Sequence, residues 1–293
     1  MNNLVEKIAI GTVQFGLNYG INNTNGIPSE ADIDNLLRFI FDEGIDTLDT
    51  AYNYGNSEIR IGRFLQKSGK PFKVISKAPK NSKISTIEKY FLESLERLTI
   101  PHLYGFLLHD FIDYENDKRI LAPLYELKNN GKVDKVGFSL YHPEQLEMLF
   151  NDKVQFDIVQ IPYNLADRRF EKYLGELKKR NIEIHVRSVF LQGLFFMNPE
   201  TIPEKLIPFK SFLILLDEQS KSFNKSIASI ALNFVLHNML IDKVVLGVDN
   251  VDQMKKNILD VDTNLSENDL RQIISELEKI RIPEKLLMPS NWN

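Results

Sequence analysis

The sequence predicts an α/β fold, a closed parallel (β/α)8 TIM barrel, with extra helices after the seventh strand and at the C-terminus. Three observations lead there. Eight short apolar runs alternate with stretches whose apolar residues recur at helical spacing, the pattern of parallel strands joined by helical crossovers. No Gly-x-Gly-x-x-Gly follows the first run, so the fingerprint of the rival open, doubly wound sheet is missing. Finally, ionisable residues close three successive runs: Asp49 after 45–48, Lys77 after 74–76 and His109 after 106–108. Strand C-termini are where a barrel gathers its reactive side chains.

In chain order, residues 8–13 read as the first strand, closing on Gly11-Thr12-Val13-Gln14-Phe15-Gly16, whose glycines permit close approach of a ligand or another segment. Ser29 is a candidate N-cap for a helix carrying Ile33, Leu36, Leu37 and Ile40, which Gly44 stops. Strand 2 delivers Asp49, and Tyr54 follows on a loop beside Gly55. A helix over 57–66 leads to strand 3 (73–76) and Lys77, and Ser85 with Glu88 has capping-box spacing for the next helix. Strand 4 (103–108) delivers His109. The alternation continues through a helix over 119–129, a strand over 135–138, a helix over 143–150, a strand over 156–160, a helix over 168–180, and strands over 183–186 and 243–246. Between the last two strands lie a Phe- and Pro-rich connection (191–210) and two helical patterns (211–223 and 226–237) where a minimal barrel has one. Helices over 251–259 and 266–280 and a tail complete what is expected to be one domain over 1–293.

Composition narrows the function. A formal net charge of −4, with basic residues scattered rather than clustered, gives no electrostatic footprint for nucleic acid or an anionic membrane, so neither is expected as a partner. The chain has no cysteine, which removes disulfides, thiolate nucleophiles and thiolate metal sites, and no carboxylate–histidine cluster suggests a metal. With neither a signal-peptide pattern nor an apolar run of about 18 residues, the expected location is the cytoplasm.

If strands 2 to 4 are neighbours, Asp49, Tyr54, Lys77 and His109 converge on one cleft. A buried lysine between a carboxylate and a phenol would stay charged and is expected to lower the pKa of Tyr54, making it a proton donor. His109 could orient a carbonyl oxygen toward it. No side chain can reduce a carbonyl, so a cofactor must supply the hydride.

These residues carry a resemblance. Asp49-Thr50-Ala51 through Tyr54-Gly55, then Ser57-Glu58, Gly62, Lys77 and His109, resemble the aldo-keto reductase family's Asp, Tyr, Lys, His tetrad in order and strand position. Gly137-Phe138-Ser139, Val159-Gln160 with Tyr163-Asn164, and Arg187-Ser188-Val189-Phe190-Leu191-Gln192-Gly193-Leu194 resemble that family's strand 5, 6 and 7 motifs. The resemblance implies carbonyl reduction by NADPH, or by NADH, with Asp49, Tyr54, Lys77 and His109 catalytic. It also implies a cofactor site at Gly11, Thr12, Ser139, Gln160, Arg187, Ser188, Phe190, Gln192, Gly247, Asp249, Gln253 and Asn257, with Thr12, Ser139 and Gln160 at the nicotinamide and Asn257 near the adenine.

Three departures stand out. Leu140 replaces a frequent asparagine, Arg187 replaces an aromatic that stacks on the nicotinamide, and Gly247, Asp249 and Gln253 replace basic residues at the 2'-phosphate. The substrate is expected to be a small carbonyl compound bordered by an aromatic rim drawn from Tyr19, Tyr52, Phe111, Tyr114, Phe195, Phe196 and Trp292. Two other readings keep the barrel: a nicotinamide-sensing regulatory subunit with little turnover, and a sugar isomerase without the cofactor.

Overall fold

A computed structural model describes residues 4–21, 23, 26–261 and 265–292. Its eight parallel strands are β1 (Ile8–Gly11), β2 (Thr47–Asp49), β3 (Lys73–Ala78), β4 (Leu103–Leu108), β5 (Val133–Ser139), β6 (Ile158–Pro162), β7 (Glu183–Arg187) and β8 (Lys243–Gly247). They pair in sequence order and close, β8 hydrogen-bonding to β1. The helices are α1 (Glu30–Asp42), α2 (Ser57–Ser68), α3 (Ile84–Leu98), α4 (Ile112–Asn116), α5 (Leu121–Asn129), α6 (Pro143–Asn151), α7 (Leu174–Lys179), α8 (Lys210–Ser222), α9 (Ile227–Leu236), α10 (Val251–Val261) and α11 (Glu267–Leu277). The extra helix after β7 and the extra C-terminal helix are both present. No described helix is long and apolar enough to cross a membrane.

Side-chain alternation sorts each strand into two faces. Ile8, Ile10, Leu48, Val74, Phe106, Leu108, Val136, Phe138, Val159, Ile161, Ile184, Val186, Val244 and Leu246 belong to the large core cluster against the helices. Ile75, Leu107 and Ile158 form a separate apolar cluster inside the barrel. Below it, toward the strand N-termini, the interior turns polar: Tyr104 donates to Glu183 Oε2 at 2.8 Å, Lys135 pairs with the same carboxylate, and His185 Nε2 lies 2.6 Å from Glu183 Oε1. Above it the inward positions are Gly11, Asp49, Lys77, Ser139, Gln160, Arg187 and Gly247.

Several local expectations are corrected. The first strand stops at Gly11: Thr12 N–H still donates to Asp49 O of the neighbouring strand at 2.9 Å, and Val13–Phe15 then closes into a 3-10 turn. α3 is capped at Lys83, whose N–H donates to Thr86 Oγ1 at 2.9 Å, not by Ser85 and Glu88. The predicted helix over 168–180 is a 3-10 turn, Glu171–Tyr173, followed by the short α7. Ser29 does cap α1, with Asp32 completing a capping box.

Candidate active site

The strand C-termini open into a cavity of about 330 Å³. Asp49 lies at its floor, with Lys77 buried beneath. Lys77 is wholly buried, and its Nζ donates to Asp49 Oδ1, Asp49 Oδ2 and Thr50 O, each at 2.8 Å. Asp49 Oδ1 accepts a further bond from Gln160 Nε2 at 2.7 Å. Tyr54 rises from the following loop with Lys77 Nζ 5.3 Å from its ring centroid, and His109 stands edge-on to the same ring at 5.7 Å. Asp49, Tyr54 and His109 line the cavity together.

The Tyr54 loop is positioned by close backbone contact. Gly55 has φ +55°, and Gly16 packs so tightly that a Cβ there would sit 1.9 Å from Tyr54 O. The neighbouring motif residues are scaffolding. Ser57 Oγ donates to Thr12 O at 2.9 Å, and buried Glu58 accepts from Ser76 Oγ at 2.6 Å. Gly62 faces α3, where a Cβ would meet Arg97 O at 2.2 Å.

The electrostatics correct one expectation. Tyr54 is pushed well above the ordinary phenol range by burial, with the Asp49 carboxylate adding to the shift and Arg187 opposing it. The nearby Lys77 charge does not overcome these effects: its three hydrogen bonds go to Asp49 and Thr50, none to the Tyr54 hydroxyl. Burial lowers Lys77 in turn, against the pull of Asp49. His109 is lowered to about 3 by burial and by the charges of Lys77, Arg187 and Lys80. It is therefore a neutral imidazole, with its buried Nδ1 lacking a hydrogen-bond partner among the described residues.

Of the residues expected to hold a cofactor, Gly11, Thr12, Ser139, Gln160, Arg187, Ser188, Phe190, Gln192, Gly247, Asp249 and Gln253 all line the cavity. Asn257 does not: it is buried within α10, beyond the first turn that carries Gln253. The loop after β7 is irregular, with Ser188, Leu191 and Gln192 at φ +63°, +48° and +54°. Asn164 Nδ2 holds Ser188 O at 2.9 Å, and Gln192 Nε2 reaches Tyr19 OH at 2.7 Å. Of the expected rim, Tyr19 and Phe196 line the cavity, whereas Phe111, Tyr114 and Phe195 are buried in the core. Tyr52 is tied to Glu93, and Trp292 packs locally, donating to Leu286 O with its ring against Phe209.

Among the wall residues to which sequence reasoning gave no role, Tyr141 and Gln14 stand out. Tyr141 stacks under the Arg187 guanidinium at 4.2 Å. Gln14 packs against Gly247, where a Cβ would sit 2.4 Å from its Nε2, and its buried Oε1 has no hydrogen-bond partner among the described residues. The only available signal was their place in the quoted stretches, one at Gly11–Gly16 and one just past Ser139.

A model of the Aldo/keto reductase family matches residues 7–278. Among curated proteins, the chain is 24% identical to the L-glyceraldehyde 3-phosphate reductase of Escherichia coli K12, over 86% of this chain and 84% of that one. It is also 24% identical to the NADH-specific methylglyoxal reductase of the same strain, over 80% and 85%. Among solved structures, the holo form of an aldo-keto reductase from Bacillus halodurans superposes with a TM-score of 0.76 at 20% identity, covering 96% of this chain and 95% of that one. A matching barrel, the tetrad at its mouth and a family match over most of the chain lead to one conclusion: this protein belongs to the Aldo/keto reductase family.

Proposed function

We propose that the chain reduces a small aldehyde or ketone to the alcohol with NADPH in the cytoplasm, Tyr54 acting as the proton donor. The observation that carries the reading is the wholly buried Lys77–Asp49 pair beneath Tyr54 and His109 at one cavity. The activities of the two Escherichia coli relatives, reduction of L-glyceraldehyde 3-phosphate and of methylglyoxal, support a small carbonyl substrate.

The cavity wall fits a nicotinamide dinucleotide. Gln14 offers a buried acceptor without a partner, and Ser139, Gln160, Ser188 and Gln192 add polar groups around it. With Gly11, Thr12, Phe190 and Gly247 these residues would hold the cofactor, which supplies a hydride to the carbonyl carbon when bound. Tyr54, kept protonated by burial, gives its hydroxyl proton to the carbonyl oxygen as charge builds there. The neutral His109 donates a hydrogen bond to the same oxygen. Lys77, close to the Tyr54 ring, favours the phenolate left behind. A second cofactor reading, NADH, is favoured by Asp249 at the cavity wall, since a carboxylate facing the ribose repels a 2'-phosphate. The NADH-specific relative is consistent with it.

Tyr54→Phe tests the central role. Loss of general acid catalysis should lower kcat by about 10²- to 10⁴-fold while calorimetric affinity for the cofactor stays near that of the parent. Undiminished turnover would overturn the assignment, and loss of cofactor binding would recast Tyr54 as structural.

A further inference from the structure

We propose that Arg187 makes this an enzyme for anionic carbonyl compounds, its guanidinium taking a carboxylate or phosphate carried by the substrate. The proposal rests on the reductase reading and names the substrate class of the same site. Among the described residues lining the cavity, Arg187 is the only cation. Lys77, beneath them, has its charge matched by both oxygens of Asp49. No carboxylate lies within ion-pair distance of Arg187 among the described residues.

The guanidinium is held without being neutralised. Nη2 donates to Leu140 O at 3.0 Å, and one face rests on the Tyr141 ring at 4.2 Å. A carbonyl oxygen and a ring face fix its orientation and leave the full positive charge in place. Of its five N–H groups one is engaged, so an edge remains to grip two oxygens of an anion in parallel. Its field reaches both Tyr54 and His109, where it opposes the upward shift of the one and adds to the downward shift of the other. The charge therefore acts on the groups that would polarise the carbonyl. A planar guanidinium can also stack on a nicotinamide through the face turned away from Tyr141, whereas an anion needs an edge, so the two uses are compatible. A half-buried cation without a counter-ion costs stability unless a ligand supplies the charge.

The experiment compares matched carbonyl pairs with saturating cofactor: 4-carboxybenzaldehyde against methyl 4-formylbenzoate, succinic semialdehyde against butanal, and glycolaldehyde phosphate against glycolaldehyde. The carboxylate and phosphate arms separate the two anions. In the parent protein, kcat/KM for the anion of at least one pair should exceed that of its neutral partner by about 10- to 100-fold, the range of a charge-assisted hydrogen bond in a half-buried site. Arg187→Met should collapse that ratio through KM, and Arg187→Lys should restore part of it. Equal rates within every pair, or a ratio untouched in Arg187→Met, would overturn the proposal and leave the reductase reading intact. A uniform fall for charged and neutral substrates, matched by weaker cofactor binding in calorimetry, would also overturn it, assigning Arg187 to the cofactor alone. If no carbonyl is reduced while cofactor binds, the reductase reading fails instead. Titration of 4-carboxybenzaldehyde into the cofactor-loaded parent and Arg187→Met proteins then decides the anion site: binding only by the parent supports it, and equal or absent binding refutes it.

Discussion

His109 and Tyr54 show how burial sets chemistry one residue at a time. An exposed histidine titrates near 6.5, but His109 is lowered to about 3 because its charged form would lose water and face Lys77, Arg187 and Lys80. It stays neutral throughout the working range and keeps an N–H for a carbonyl oxygen. Tyr54 moves the opposite way, since burial and Asp49 both disfavour the phenolate. The sign of the pH dependence follows. A donor must be protonated, so reduction is lost only as pH rises through the Tyr54 pKa, above about 10, and no histidine limb appears near 6.5. The expected kcat/KM profile is flat from about pH 5 to 9 with cofactor saturating. A limb near pH 6.5 would mean that His109 titrates in the complex and would remove it as a neutral donor. The lysine and carboxylate were legible as a pair from their strand positions. That Lys77 directs every hydrogen bond at Asp49 and Thr50 was not, because strand order sets proximity and not the direction of an N–H.

Glycines decide how closely the elements approach, and two of them separate fold from site. Gly62 sits where α2 meets α3, and a Cβ would come within 2.2 Å of Arg97 O and 2.8 Å of Leu98 C. Gly16 sits under the loop that carries Tyr54, and a Cβ there would lie 1.9 Å from Tyr54 O. Both contacts are with backbone, which cannot rotate away. Gly62→Ala should therefore cost about 1–3 kcal/mol of stability by overpacking, read as a lower urea midpoint, with the activity of the folded fraction retained. Gly16→Ala should lower kcat more than stability, because relief of the clash displaces Tyr54. The reverse pattern, an inactive Gly62→Ala or a fully active Gly16→Ala, would break this division. Helix α1 was readable down to its cap, since Ser29 and Asp32 are local partners. The cap of α3 and the short α7 were not, because Ser85 and Glu88 offered an equally good local pattern and nothing local says which end the chain will use.

For the whole molecule, the barrel mouth is the place where a ligand that binds only the folded state adds stability. At 100 times its Kd a nicotinamide cofactor contributes about 2.7 kcal/mol, which for a domain of this size raises Tm by about 4 °C. NADPH and NADH compared at equal concentration rank the two readings. A larger shift with NADPH upholds the family-based choice, and a larger shift with NADH assigns Asp249 the exclusion of the 2'-phosphate. No shift with either would dissociate the cavity from the cofactor. The barrel, the order of its strands and the meeting of Asp49, Tyr54, Lys77 and His109 were legible in the sequence, because alternating periodicity and residues at strand ends are local facts that a closed parallel topology turns into one geometry. Of the twelve positions that the motifs marked for a cofactor, eleven line the cavity wall. Tertiary contacts alone buried Asn257 away from the cavity, brought Gln14 and Tyr141 to its wall, and set Arg187 on Tyr141 with no carboxylate in ion-pair distance among the described residues. Helix rotation, loop conformation and charge pairing depend on contacts between residues far apart in the chain, and no local pattern encodes them.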